Sequence, residues 1–186
     1  MAKTVHMKNL PKLTSSLAIF LEVISTFSTP LQSKGGNYFS IERYCDSNKD
    51  RYRFPENGLQ DSVFCRSHFA RGISVTLVLM RSKVLLNTQT TINMLIDEGF
   101  VCVGFNGLAH IVNYHIDEFP NDKWILAPHC KLTHVHDIFC HPAVGIPYLS
   151  KQGKRLPHPE IMFSYSIQSL DSIKKDSYVL FGKIAP

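Results

Sequence analysis

The sequence has little of the features that mark membrane-spanning or nucleic-acid-binding proteins. Its longest apolar runs, from Leu17 to Ile24 and from Val75 to Met80, are much shorter than the ~20 residues that a transmembrane helix needs. Glu22 also interrupts the first run. Only 19% of the residues are charged, and the 20 lysines and arginines are scattered. We therefore expect no membrane partner, and the net charge of +5 does not by itself favour a nucleic-acid partner.

The cysteines also lack the patterns of stapled or zinc-ribbon proteins. There are five, an odd number, and no two of them form a Cys-x2-Cys pair. This count excludes a complete disulfide framework and favours free thiols in a reducing compartment. What is present is a length of 186 residues with 44% apolar residues, enough for one well-packed core. We therefore predict a single domain over residues 1–186.

Periodic apolar residues predict three helices. The first begins at Thr14, and its apolar side chains recur at helical spacing at Leu17, Phe20, Leu21, Ile24 and Phe27. The second follows Cys65, with a spacing of three or four residues that extends to Met80, although β-branched residues crowd its later part. The third begins at Thr88 and ends at Gly99, a residue suited to a C-terminal cap.

The second half of the sequence has the composition of strands. Residues 100–105, 109–116 and 124–126 are predicted to form an antiparallel meander, and residues 161–167 and 178–184 are further strands. With helices first and strands second, the pattern indicates an α+β fold.

One group of residues suits nucleophilic chemistry. Cys65 is placed at the start of the second helix, where the helix dipole and unpaired N–H groups stabilise a thiolate. Gln60, five residues earlier, can donate a hydrogen bond to the oxyanion that forms when a thiolate attacks a carbonyl. His110, on a predicted core strand, can act as general base and acid.

The order of these residues resembles the papain-like cysteine peptidases. It consists of Gln60-x4-Cys65, a helix, residues 95–103 (LIDEGFVCV) and residues 109–114 (AHIVNY). The match covers roughly residues 59–140 and is most similar to the compact bacterial branches, namely bacteriocin-leader peptidases and cysteine-protease effectors delivered into host cells. The resemblance implies a papain-like architecture and a peptidase or amidase that needs no cofactor. It also implies a protein or peptide substrate, and a location in the cytoplasm or, after secretion, in a host cell.

The sequence departs from that family where the second strand of the hairpin ends. The family has an Asp-Pro or Asn-Pro step there, whose polar side chain orients the histidine, whereas this chain has Ala127-Pro128. Asp122 is the candidate third catalytic residue, and Asp137 and His129 are the other nearby candidates. Without an orienting group the chain would be a non-catalytic binding protein, which is the alternative.

Two further patterns suggest other chemistry. Six potential zinc ligands cluster in irregular spacing, namely His129, Cys130, His134, His136, Cys140 and His141. They give the binding-protein alternative a possible structural zinc, although a solvated loop rich in histidine explains them as well. Glu160 precedes a predicted strand, as the catalytic glutamate of ADP-ribosyltransferases does, with Arg43 as its partner. That transferase is the other alternative function.

Overall fold

The structure, a computed structural model, describes residues 11–28, 52–53, 75–118, 123–128, 133–135, 138–145, 161–166 and 172–184. Its helices are interleaved with its strands along the chain. The helices are α1 (Ser15–Phe20), α2 (Thr88–Asp97) and α3 (Gly104–Tyr114), followed by a 3-10 turn (Ile116–Glu118). The strands are β1 (Leu21–Ser28), β2 (Tyr52–Arg53), β3 (Val75–Ser82), β4 (Leu86–Asn87), β5 (Phe100–Val101), β6 (Trp124–Leu126), β7 (Thr133–Val135), β8 (Ile138–Gly145), β9 (Ile161–Ser166), β10 (Ser172–Ile173) and β11 (Tyr178–Ile184).

Most of the strands form one mixed sheet in the order β1-β3-β11-β6-β8-β9-β2. Its pairs are antiparallel except for two parallel pairs, β11 with β6 and β2 with β9. The short strand β5 pairs with the far end of β11, β7 forms a hairpin with β8, and β4 pairs with β10 in a separate small sheet. The α+β class is therefore confirmed, but the predicted order of helices first and strands second is wrong.

The two halves of the core lie on opposite faces of this sheet. In β3, the side chains of Leu77 and Leu79 belong to the apolar cluster around α3, whereas Val78 and Met80 belong to the cluster around α1 and α2. Because side chains alternate along a strand, β3 separates two layers of helices. This also explains why residues 77–80 of β3 are all apolar rather than alternating with polar residues.

The predicted helix after Cys65 is wrong over its last part, which is strand β3. Val75, Thr76 and Val78 are β-branched, and a β-branched side chain loses rotamer freedom in a helix but packs well in a sheet. β3 also pairs on both sides, with β1 and with β11, so every second residue is buried against each layer.

The first predicted helix is only partly confirmed. It begins after Thr14, as expected, but it ends at Phe20, and the chain continues as strand β1. The Thr14 hydroxyl donates to the Glu98 carboxylate and does not accept a capping hydrogen bond from a backbone N–H of the first turn of α1. The apolar spacing from Leu21 to Phe27 fits helix and strand alike, and pairing with β3 selects the strand.

Helix α2 confirms its prediction at both ends. It begins at Thr88, and the side chain of Asn87 accepts a hydrogen bond from the Thr90 N–H at 2.9 Å. Gly99 has a φ of +79°, the left-handed conformation that lets the chain turn back after a helix at no steric cost. Ile92 and Leu95 are fully buried under the sheet.

The predicted meander is wrong at residues 104–105 and 109–114, because residues 104–114 form helix α3. Of the strand predicted over residues 100–105, only Phe100–Val101 is strand, β5. A short apolar run fits a fully buried helix as well as a buried strand, so periodicity could not separate them. Strands at 124–126, 161–166 and 178–184 are confirmed. Within the described ranges, no helix is long and apolar enough to cross a membrane.

Candidate functional site

Helix α3 is buried along almost its whole length, yet it carries two polar side chains into the interior. Every residue from 104 to 112 is buried, including Asn106 and His110 among their apolar neighbours. These two lie four residues apart and therefore share one face of the helix. Buried polar groups are more informative about function than buried apolar ones, because placing them there has a free-energy cost.

His110 is held neutral by its surroundings. Only 6% of its surface is exposed, and its Nε2 has no hydrogen-bond partner within the described ranges. Burial lowers the pKa of His110 from 6.5 to about 4, and the nearby His115 adds a smaller lowering effect. At neutral pH His110 is therefore an uncharged imidazole with an available ring nitrogen.

A second imidazole, His115, follows directly after α3 and is held by a carboxylate. The N–H of His115 donates to the Ile111 carbonyl at 2.7 Å, which closes the helix, and the 3-10 turn then brings Glu118 back over the ring. His115 Nδ1 lies 3.0 Å from Glu118 Oε1. Both side chains reach the surface, with the imidazole the less exposed of the two.

Aromatic rings hold the two imidazoles in place. The centre of the Tyr114 ring lies 4.8 Å from the centre of the His110 ring. The centre of the Phe27 ring, at the end of β1, lies 4.8 Å from the centre of the His115 ring. The centres of the two imidazoles are 6.1 Å apart. Tyr114 is largely exposed, so this group extends from the core under α3 to the surface. We call His110, Tyr114, His115 and Glu118 the imidazole site.

The imidazole site has the parts that acid–base chemistry needs. A carboxylate at Nδ1 favours the tautomer that donates from Nδ1, so that Nε2 of His115 carries the lone pair that accepts a proton. The same carboxylate stabilises the imidazolium that forms after proton transfer. Glu118 is therefore placed where an orienting acid stands relative to the histidine of a catalytic triad.

The structure places one of the sequence-predicted catalytic residues. His110 lies on helix α3 rather than on the predicted strand, which corrects its local structure and leaves its role a prediction. Cys65, Gln60 and Asp122 lie outside the described residues, as do Glu160 and Arg43 of the transferase alternative.

Sequence reasoning missed the pairing of His115 with Glu118. The signal was present, since a histidine and a glutamate three residues apart face each other on one helical turn. The prediction of a strand over residues 109–116 concealed it, because it placed His115 in an extended segment and left Glu118 outside that element.

The predicted zinc ligands are only partly described. His134 is on β7 and Cys140 on β8, while His129, Cys130 and His136 lie outside the described residues. His141, on β8, is 1% exposed, and burial lowers its pKa from 6.5 to about 4. In the part of the chain that the structure describes, no three histidine, cysteine or acidic side chains are grouped so that they could hold a metal ion.

Comparison with known proteins found no relative. No family model matches the sequence, and neither the curated proteins nor the solved structures contain a match.

Proposed function

We propose that the chain is a cysteine hydrolase of peptides or proteins, with Cys65 as nucleophile and the imidazole site as proton carrier. The contact that supports this proposal most directly is that of His115 Nδ1 with Glu118 Oε1, at 3.0 Å. It supplies the orienting acid that the Ala127-Pro128 step lacks. The papain-like resemblance of residues 59–140 supplies the nucleophile and Gln60 as oxyanion donor.

The two imidazoles have different roles in the proposed reaction, because their environments differ. His115 carries the protons. His115 accepts the proton of the Cys65 thiol, and the thiolate sulfur forms a bond to the substrate carbonyl carbon. The resulting imidazolium returns the proton to the leaving amine as the C–N bond breaks. Water then attacks the thioester, His115 takes a proton from that water, and the thiolate leaves as the acid product forms.

In this scheme His110 stays uncharged and is the buried neighbour of His115. A base with a pKa of about 4 is weak at neutral pH, so His110 is a poor acceptor for the thiol proton. As a neutral neighbour it leaves room for one positive charge on His115, whereas a second charge 6.1 Å away would oppose it.

A non-catalytic binding protein is the second candidate, and the burial of His110 favours it. A histidine that is 6% exposed inside an apolar helix can be a core residue with no chemical role. In that case the contact between His115 and Glu118 is a surface pair of small energetic effect.

Hydrolysis of a mixed peptide library separates these candidates. We expect the wild-type protein to cleave members of the library and Cys65→Ala to cleave none. His115→Gln should lower the rate by about 10²–10⁴, and Glu118→Gln should lower it less. Asn113→Ala, an exposed change on the same helix, is the matched control and should not alter the rate. Cleavage that survives Cys65→Ala would refute the proposed nucleophile.

A further inference from the structure

The start of β1, the end of β3 and the starts of β11 and β6 lie at one end of the sheet. Strand register shows this, because Leu21 pairs with Ser82, Tyr178 with Arg81, and Ile125 with Tyr178. The loops beside these residues therefore form one surface. We call it the lysine end and define it as Ile19 together with residues 83–85, 123–124 and 174–175.

The parts of the lysine end are fixed to one another by hydrogen bonds. The Lys83 N–H and Nζ donate to the last carbonyls of α1, those of Phe20 at 2.8 Å and Ala18 at 2.7 Å. The hydroxyl of buried Ser82 lies 2.9 Å from the Val84 carbonyl and 2.7 Å from that of Lys174. Helix α1 and the two turns are thus held in a fixed arrangement.

Large apolar side chains project from this surface into solvent. Leu85 is 68% exposed and Ile19 is 64% exposed, and Val84 and Trp124 are also exposed. An apolar cavity of about 120 Å³ is lined in part by Phe20 and Leu86, which follow Ile19 and Leu85 in the sequence. Ile19 lies in the last turn of α1, and Val84 and Leu85 lie in the turn after β3. Exposed aliphatic residues that share one end of a sheet favour contact with an apolar partner.

Positive charge surrounds these apolar groups. Lys83, Lys123, Lys174 and Lys175 are all exposed. Of the acidic side chains described at this end, Glu22 pairs with Arg81, its Oε2 lying 2.6 Å from Arg81 Nη2. Asp176 is exposed and follows Lys175 in the sequence. Among the described residues of this end, the four lysines and Arg81 outnumber Glu22 and Asp176, so the surface carries a net positive charge.

We propose that the lysine end docks on the surface of an anionic phospholipid bilayer, with Leu85 and Ile19 inserted and the lysines at the headgroups. The combination is complementary to that surface in both charge and hydrophobicity. Tryptophan at the rim suits the same interface, because its ring sits at headgroup level. A nucleic acid would attract the lysines but would gain little from the exposed aliphatic side chains. This inference is independent of the proposed hydrolase.

Co-sedimentation of the full chain with lipid vesicles tests the proposal. We expect binding to phosphatidylcholine vesicles that contain about 30 mol% phosphatidylserine, and much weaker binding to phosphatidylcholine alone. Lys175→Gln should weaken the binding about fivefold, and Leu85→Ser about tenfold. Both positions are exposed, so the variants should fold, and circular dichroism and the unfolding midpoint confirm this.

Two matched controls lie at the opposite end of β11. Lys183→Gln removes the same charge and Ile184→Ser removes an exposed aliphatic side chain, and neither should alter vesicle binding. Absence of binding to anionic vesicles would overturn the proposal. It would also be overturned if the control variants weakened binding as much as Lys175→Gln and Leu85→Ser, or if a DNA duplex bound while the vesicles did not.

Discussion

Two buried histidines should make the protein sensitive to acid above the range in which carboxylates titrate. His110 and His141 both have a pKa of about 4 in the folded chain, whereas a histidine in the unfolded chain has a pKa of about 6.5. Between these values the unfolded state binds more protons than the folded state. The free energy of unfolding therefore falls as the pH is lowered from about 6.5 to about 4.

The size of this effect follows from the two pKa values. Each pKa unit corresponds to about 1.4 kcal/mol, so each histidine should remove at most about 3 kcal/mol of stability once the pH reaches 4. For a domain whose whole stability is about 5–15 kcal/mol, the loss from both is large.

Urea unfolding at a series of pH values measures this loss of stability. The wild-type protein should lose stability steeply between pH 6.5 and 4.5, His110→Leu and His141→Leu should each lose it less steeply, and the double variant least. Asn113→Ala, on the exposed side of α3, should follow the wild-type curve. The reasoning is refuted if the pH dependence of His110→Leu equals that of the wild type, because burial of that imidazole would then not oppose its protonation.

Two further predictions concern the helices that frame the core. Gly107→Ala would place a Cβ 2.6 Å from the Cβ and Cγ2 of Val103, so it should lower the free energy of unfolding by about 1–3 kcal/mol. An unchanged urea midpoint would show that the helix is not packed this closely. Asn87→Ala removes the acceptor for the Thr90 N–H and should cost about 1 kcal/mol, while Asn87→Asp should retain most of the stability. Equal losses in the two Asn87 variants would contradict the capping role.

How much could be predicted from the sequence depended on whether local signals agreed. Helix α2 was predicted at both ends, because Gly99 ends it and its apolar spacing fits only a helix with one buried face. Segments buried on all sides have no apolar spacing that distinguishes a helix from a strand. Strand β3 and helix α3 are both nearly continuous apolar runs, and only their tertiary partners decide which becomes strand and which helix.

The two surfaces to which we assign proposed functions could not be predicted from the sequence, for a related reason. The contact of His115 with Glu118 depends on a helical turn that the sequence did not reveal. The lysine end joins residues that are far apart in the sequence, such as Ile19, Leu85 and Lys175, and only the sheet register brings them together. The short apolar runs correctly predicted no membrane-spanning helix in the described residues, but hydropathy cannot detect a surface assembled from separate loops.

The reactivity of Cys65 toward iodoacetamide tests the hydrolase proposal most directly, because it needs no substrate. Mass-mapped labelling from pH 5 to 8 should show Cys65 modified at the acidic end of the range, where thiols with an ordinary pKa near 8.5 stay protonated. His115→Gln should abolish that early labelling, Glu118→Gln should weaken it, and Asn113→Ala should leave it unchanged. Slow labelling of Cys65 at the same rate as the other four cysteines would contradict the proposal and leave a binding protein as the function.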